Sequence, residues 1–289
     1  MPTIKPVPTL RRRRLGGRLR DLRNQAGHSL ETAAAAMGWD PTKLSRIENA
    51  KAQIKPTEIG TLLASYGVRD QELTAALEGL ARDAGKRGWW QTYGNVMAQV
   101  YKDHISLEDD AETTRIYASN LIPGLLQTGA YAREIIAATA LTRSPEEVVA
   151  LAEVRKTRQA ILTRPQGPLN LWAVIHESAL HYRSAAHPPL MREQLRHLLE
   201  MADLPNITIQ IMPLDATAHP GMLGLFEVVR FPHPWPTVVF LENLRGGYFV
   251  EADDDVKVFE TAFDRVLAAA LPVDDSRETI KRAMEGSTP

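Results

Sequence analysis

Apolar residues recur at helical spacing from the start of the chain, and short strand-like runs gather only in its second half. Leu15, Leu19, Leu22 and Ala26 stand at i, i+4, i+7 and i+11, which predicts a first helix with one apolar stripe under a basic face, ended by Gly27. Ser29 is suited to cap a second helix, in which Leu30, Ala33, Ala34 and Met37 repeat the spacing. Its nearly all-alanine interior lets a neighbouring helix approach closely, and Gly38 closes it.

The stretch 39–49 is the most informative. Asp40 is a good N-cap and Pro41 takes the first helical position, where its missing N–H costs nothing. Trp39 before the cap and Leu44 at the fourth position form a hydrophobic staple. At about 100° per residue, Leu44 and Ile47 share an inward face, while Thr42, Ser45, Arg46 and Asn49 face outward. Small polar residues with one arginine are suited to hydrogen-bond base edges in a major groove; Lys43, on the flank, is better placed for phosphate. A fourth helix, capped near Thr57, carries Ile59, Leu62, Leu63 and Tyr66, and a fifth, capped by Asp70, carries Leu73, Ala76, Leu77 and Leu80.

Residues 84–93 break the helical pattern and are read as a linker. Beyond it, helices are predicted over 106–119 (capped by Ser106), 129–140, 145–164 (a Ser144-to-Glu147 capping box), 189–203 and 254–270, with a last short one starting at Ser276. Strands are predicted over 169–175, 207–212, 223–231, 237–241 and 248–250. Strands clustered late, after helices, argue for an α+β domain with a small, mostly antiparallel sheet. The expected organisation is an all-α five-helix domain over 1–83 (core 15–67), the linker, and an α+β domain over 94–289 for regulation, dimerisation or partner binding.

Charge sharpens this division. Residues 1–68 hold 12 Lys/Arg against 5 Asp/Glu, a net +7, and the remainder holds 22 against 30, a net −8. A basic head on an acidic body implies that only the head approaches a polyanion. The run Arg11, Arg12, Arg13 and Arg14 is either a phosphate-tracking or minor-groove arm or the solvated start of the first helix. There are no cysteines, no apolar stretch long enough to span a membrane, and no apolar region after the arginines to make an export signal, so a soluble cytoplasmic protein is expected.

No catalytic constellation is legible. His176 and His181 are five apart rather than four and follow a strand, so they do not form a zinc-protease helix. No glycine-rich phosphate loop or Gly-x-Ser-x-Gly turn occurs, and 253–255 reads as a helix start that welcomes negative charge. Neither enzyme activity nor a metal or cofactor is expected. Trp89, Trp90 and Tyr93 either line a ligand pocket or pack the linker. The segment 121–128, with Gln127, is a turn between helices or a binding loop, and His219 and Met222 lie in a loop of binding or structural use.

The run Leu19-Arg20-Asp21-Leu22-Arg23, then Gly27-His28-Ser29, Leu44-Ser45-Arg46-Ile47-Glu48-Asn49 and Lys51, resembles the phage-repressor-like helix-turn-helix domain of the XRE family. The resemblance implies that 40–49 is a recognition helix with Thr42 and Arg46 at bases, and Lys43, Asn49 and Lys51 at phosphates. It also pairs Arg23 with Glu48. Leu30 stands where that family usually has glutamine, so the backbone contact made there is either absent or supplied by Ser29. The pieces Gly88-Trp89-Trp90, Leu121 to Thr128, Leu204-Pro205-Asn206-Ile207 and His219-Pro220-Gly221-Met222 resemble the C-terminal domain of unknown function in actinobacterial antitoxin-like regulators of the Scr1 type. That resemblance implies a small protein partner. The expectation is a homodimeric, sequence-specific regulator of double-stranded DNA, usually a repressor, gated through its body. The alternative is an antitoxin-like protein that neutralises a small partner and autoregulates through DNA.

Overall fold

The computed structural model describes residues 10–84, 88–93, 96–139, 142–233, 235–244 and 246–286. The chain divides into two compact units, Met1–Gln91 and Thr92–Pro289. Residues 85–87 of the expected linker lie outside the described residues.

The N-terminal unit is all-helical: α1 Leu10–Gln25, α2 Leu30–Ala36, α3 Pro41–Glu48, α4 Pro56–Ser65 and α5 Gln71–Asp83. Local chemistry sets the boundaries. The Ser29 hydroxyl accepts from Thr32 N–H at 3.1 Å, Asp40 from Thr42 N–H at 2.7 Å, and Asp70 from Leu73 N–H at 3.0 Å. Gly27, Gly38 and Gly67 take the left-handed backbone that ends a helix without a Cβ clash. Leu19, Ala33, Ala34, Leu44, Ile59, Leu62, Leu63 and Leu77 make the buried core. The first helix begins earlier than the apolar spacing suggested: Arg11, Arg12, Arg13 and Arg14 belong to α1.

The second unit is α+β, with α6 Gln99–Asp110, α7 Gly129–Thr139, α8 Pro145–Arg158, α9 Leu190–Met201, α10 Asp253–Ala269 and α11 Val273–Gly286. Its strands are β1 Thr113–Ala118, β2 Asn170–His176, β3 Ile207–Met212, β4 Phe226–Arg230, β5 Val238–Asn243 and β6 Gly246–Val250. They form one mixed sheet in the order β3-β2-β1-β4-β5-β6. Pairings β1–β4, β4–β5 and β5–β6 are antiparallel, so the sheet is mostly antiparallel, while β1–β2 and β2–β3 are parallel. α10 covers one face, where Phe263 and Val266 pack with Tyr117, Val174, Val228 and Val239.

Several boundaries differ from expectation. The helix expected over 106–119 is instead α6, in which Ser106 is interior and buried, followed by the central strand β1. Thr113, Thr114, Ile116 and Tyr117 suit a pleated surface, and the two neighbouring strands β2 and β4 decide the matter. Segment 121–128 therefore follows a strand rather than joining two helices, and it contains a 3-10 turn, Gly124–Leu126. α8 stops at Arg158 and passes into a 3-10 turn, Gln159–Leu162. Ser276 lies inside α11 rather than starting it: its hydroxyl is buried and accepts from Ile211 N–H at 2.9 Å. Leu271 N–H donates to Ile211 O at 2.8 Å, so the 271–276 connection seals the outer margin of β3 at that residue. Among the described residues no helix is long and apolar enough to cross a membrane.

Candidate nucleic-acid interface

α3 is held from below and left open above. Leu44 and Ile47 are buried, Thr42, Arg46 and Asn49 are exposed, and Ser45 is half-buried. The polar face expected from the helical period is therefore the outward one. Behind it, Arg23 Nε donates to Glu48 Oε1 at 2.7 Å and its Nη2 to Oε2 at 2.9 Å, both side chains being buried. The remaining Arg23 Nη1 donates to His28 O at 2.8 Å, so one guanidinium ties α3 to the turn before α2. The Glu48 hydrogen bonds hold Arg23 above its ordinary pKa against the opposing cost of burial.

Two residues important to this arrangement were not singled out from the sequence. A Cβ on Gly16 would lie 2.6 Å from Glu48 O and 2.7 Å from Ile47 O, so α1 crosses the end of α3 at contact distance only because that position is bare. Arg20 Nη2 donates to Glu48 O at 2.8 Å and to Asn49 Oδ1 at 3.3 Å, satisfying acceptors at the C-terminus of α3. The signal available was the glycine pair inside an otherwise regular basic helix.

The flanking residues are partly occupied. Lys43 Nζ lies 3.2 Å from Glu58 Oε1 and 3.7 Å from the centroid of the Trp39 ring. Such a half-exposed pair contributes about 0–1 kcal/mol, little enough for a phosphate to displace it. Asn49 donates to Ser45 O at 2.8 Å, acting as a cap, while Lys51 is exposed. Ala50, buried and left-handed at φ 58°, turns the chain so that Lys51 N–H donates back to Arg46 O at 2.7 Å. Ser29 is exposed and its hydroxyl is used as the α2 cap. Of the arginine run, Arg11, Arg12 and Arg13 are half-buried and Arg14 is buried, which removes Arg14 from the phosphate-facing set.

Trp89 and Trp90 lie at the end of the first unit, and Gln127, His219 and Met222 lie in the second. Trp90 is buried and meets Trp89 edge to face at 5.9 Å. Gln127 is buried, with Nε2 donating to Ile122 O and Oε1 accepting from Arg155, both at 2.7 Å. Its amide thus braces the 121–128 loop. His219 stands edge-on to Tyr117 at 5.6 Å, while Met222 is exposed on the neighbouring 3-10 turn Pro220–Leu223. His176 Nδ1 lies 2.7 Å from Ser178 Oγ, whereas His181 is exposed and 3.9 Å from Glu177.

A buried ion network stands apart from these. His104 Nε2 lies 2.8 Å from Glu227 Oε2 and 3.8 Å from Glu108 Oε1, and Arg158 Nε lies 3.0 Å from Glu108 Oε2. The three acid and imidazole groups are grouped closely enough to hold a cation. Arg158 supplies a positive charge against Glu108 and His104 reaches Glu227, so the cluster ties α6, α8 and β4 together. His104 also stacks on Phe240 with ring centroids 4.0 Å apart.

A helix-turn-helix domain model matches residues 14–77. No curated protein matches the chain. A model described as a domain of unknown function, DUF5753, matches residues 101–282, the greater part of the sequence. The chain therefore belongs to the DUF5753 family and carries a helix-turn-helix domain in front of that domain.

Proposed function

We propose that the chain is a sequence-specific, DNA-binding transcriptional regulator, a homodimeric repressor without catalysis of its own, gated through its second unit. The observation that carries this reading is α3. It starts at a side-chain cap, buries Leu44 and Ile47, and presents Thr42, Ser45 and Arg46 on an open face. A helix in the major groove reads bases with such groups, and arginine pairs with guanine in two-pronged fashion. One short helix makes few base contacts, so specific binding calls for two half-sites about 34 Å apart and hence two copies of the chain. Lys51 and the half-buried arginines at the start of α1 supply phosphate contacts in this reading.

Arg46→Ala is expected to weaken cognate binding about 5- to 150-fold, the equivalent of about 1–3 kcal/mol, with a much smaller loss on a scrambled duplex. Fluorescence anisotropy on both duplexes measures this; equal losses on the two would remove Arg46 from base reading.

A second reading, an antitoxin-like protein that captures a small protein partner, is supported by Met222 and Leu223, which are 65% and 97% exposed on one hydrogen-bonded turn. Adjacent apolar side chains held out in this way suit a protein contact. Co-purification of a small protein in stoichiometric amount, lost in Leu223→Ser, is the expected result; its absence from the native host's extract removes the reading.

A further inference from the structure

Strands β1, β2 and β3 run parallel and end side by side at Ala118, His176 and Met212. Ligands of open sheets gather outside the carboxyl ends of parallel strands, where loops vary over a fixed frame. The loop after β3 crosses this margin. With the C-terminal half of α10 it borders an open cleft of about 520 Å³ lined by Thr217, Ala218, His219, Arg265, Ala268 and Ala269. That size suits a small molecule.

The polar groups in the cleft are matched to an anion. A Cβ on Gly221 would lie 2.5 Å from the Tyr117 ring and 2.9 Å from Nδ1 of His219, so this bare position lets the imidazole settle against the tyrosine. Nδ1 is buried there without a hydrogen-bond partner. The ring proton accordingly belongs on Nε2, the nitrogen left accessible, where it can find an acceptor. Burial first, and the nearby His176 second, hold His219 below its ordinary pKa, so the ring is neutral near pH 7 and donates rather than pairs as a cation. Arg265 is exposed, and among the described residues it has no ion-pair partner. The small side chains of Ala268 and Ala269 keep the α10 wall low.

We propose that this cleft binds a small anion bearing a carboxylate or phosphate group, held by Arg265 and by Nε2–H of His219, and that this anion is the signal read by the second unit. The signalling clause rests on the gated-regulator reading above; the binding clause stands by itself.

The test is thermal unfolding of the full chain in sodium phosphate and in sodium succinate, each against sodium chloride at equal ionic strength. Ligand at about tenfold its Kd raises the midpoint of a unit this size by about 3–6 °C. Stabilisation by phosphate alone or succinate alone assigns the anion's class. The shift should vanish in Arg265→Gln and His219→Gln and persist in Arg46→Ala, which removes a cation of the N-terminal unit. No shift with either salt overturns the proposal. So does a shift that survives both cleft substitutions or disappears in Arg46→Ala. Anisotropy on DNA in chloride alone is unaffected by these outcomes, so failure here is distinguishable from failure of the DNA-binding reading.

Discussion

Arg23 and Glu48 join the first and third helices through two parallel hydrogen bonds, at 2.7 and 2.9 Å, with both side chains buried. The pair fixes the rear of α3 while Thr42 and Arg46 stay in the open, so the orientation of the exposed face depends on a contact hidden behind it. Removing one partner leaves a buried charge without its counterion, at a cost of about 3–5 kcal/mol. Arg23→Met and Glu48→Leu should each lose this amount in urea unfolding. The double variant should recover most of it, short of the bond from Arg23 to His28 O. A double variant as unstable as the sum of the singles would show that the two residues act independently.

Gly16 and Gly17 are neighbours on α1 with opposite surroundings. A methyl group on Gly16 runs into the carbonyls of Ile47 and Glu48, whereas one on Gly17 meets nothing within 4 Å. Gly17→Ala should stabilise the N-terminal unit by about 0.8–1 kcal/mol through helix propensity. Gly16→Ala should push α3 away, abolishing DNA binding while the far-ultraviolet circular dichroism stays helical. Unchanged binding by Gly16→Ala would mean that the α1–α3 spacing does not govern the interface.

The ion network around His104 makes stability depend on pH with a definite sign. Burial alone would lower the imidazole, but the carboxylates of Glu227 and Glu108 outweigh it and the pKa stands above its ordinary value of 6.5. Burial also raises Glu108, against Arg158 and His104. A group raised on folding stabilises fully below its unfolded value, and that stabilisation is lost as pH climbs through the folded value. Relative to His104→Gln, the protein should therefore be most stabilised below pH 6.5, with the advantage shrinking as pH rises above it. Thermal midpoints of both proteins across this range measure the difference; an advantage that grows with pH would reverse the assignment.

Glu58 competes for the cation that DNA would use. Glu58→Gln keeps an acceptor for Lys55 N–H, now bonded at 3.0 Å, while releasing Lys43. Stability should fall by less than about 1 kcal/mol, duplex affinity should rise, and the slope of log affinity against log salt should steepen by about 1. A slope identical to that of the unsubstituted protein would remove Lys43 from the phosphate-contacting set.

The N-terminal unit was legible because its determinants are local. Asp40 and Pro41 announce α3, Ser29 announces α2, and Leu44 with Ile47 identify the inner face. Gly16 was opaque for the opposite reason: its importance comes from a carbonyl 32 positions along the chain. The same contrast divides the second unit. β3 could be read to its ends from a compact apolar run. β1 could not, since Thr113–Ala118 becomes a strand through neighbours supplied by Asn170–His176 and Phe226–Arg230. The charge tie among His104, Glu108, Arg158 and Glu227 joins three elements remote in sequence, and only the spacing of four between His104 and Glu108 on α6 leaves a trace within one of them.

The closure of Ile211 by Leu271 and Ser276 also bears on assembly. A strand offered by another molecule at that flank would find the backbone groups at Ile211 already engaged and would have to unseat the connection between α10 and α11. Backbone pairing between copies is therefore obstructed at that residue. A margin closed at that point is a poorer template for strand addition, which guards a concentrated protein against growing into fibres.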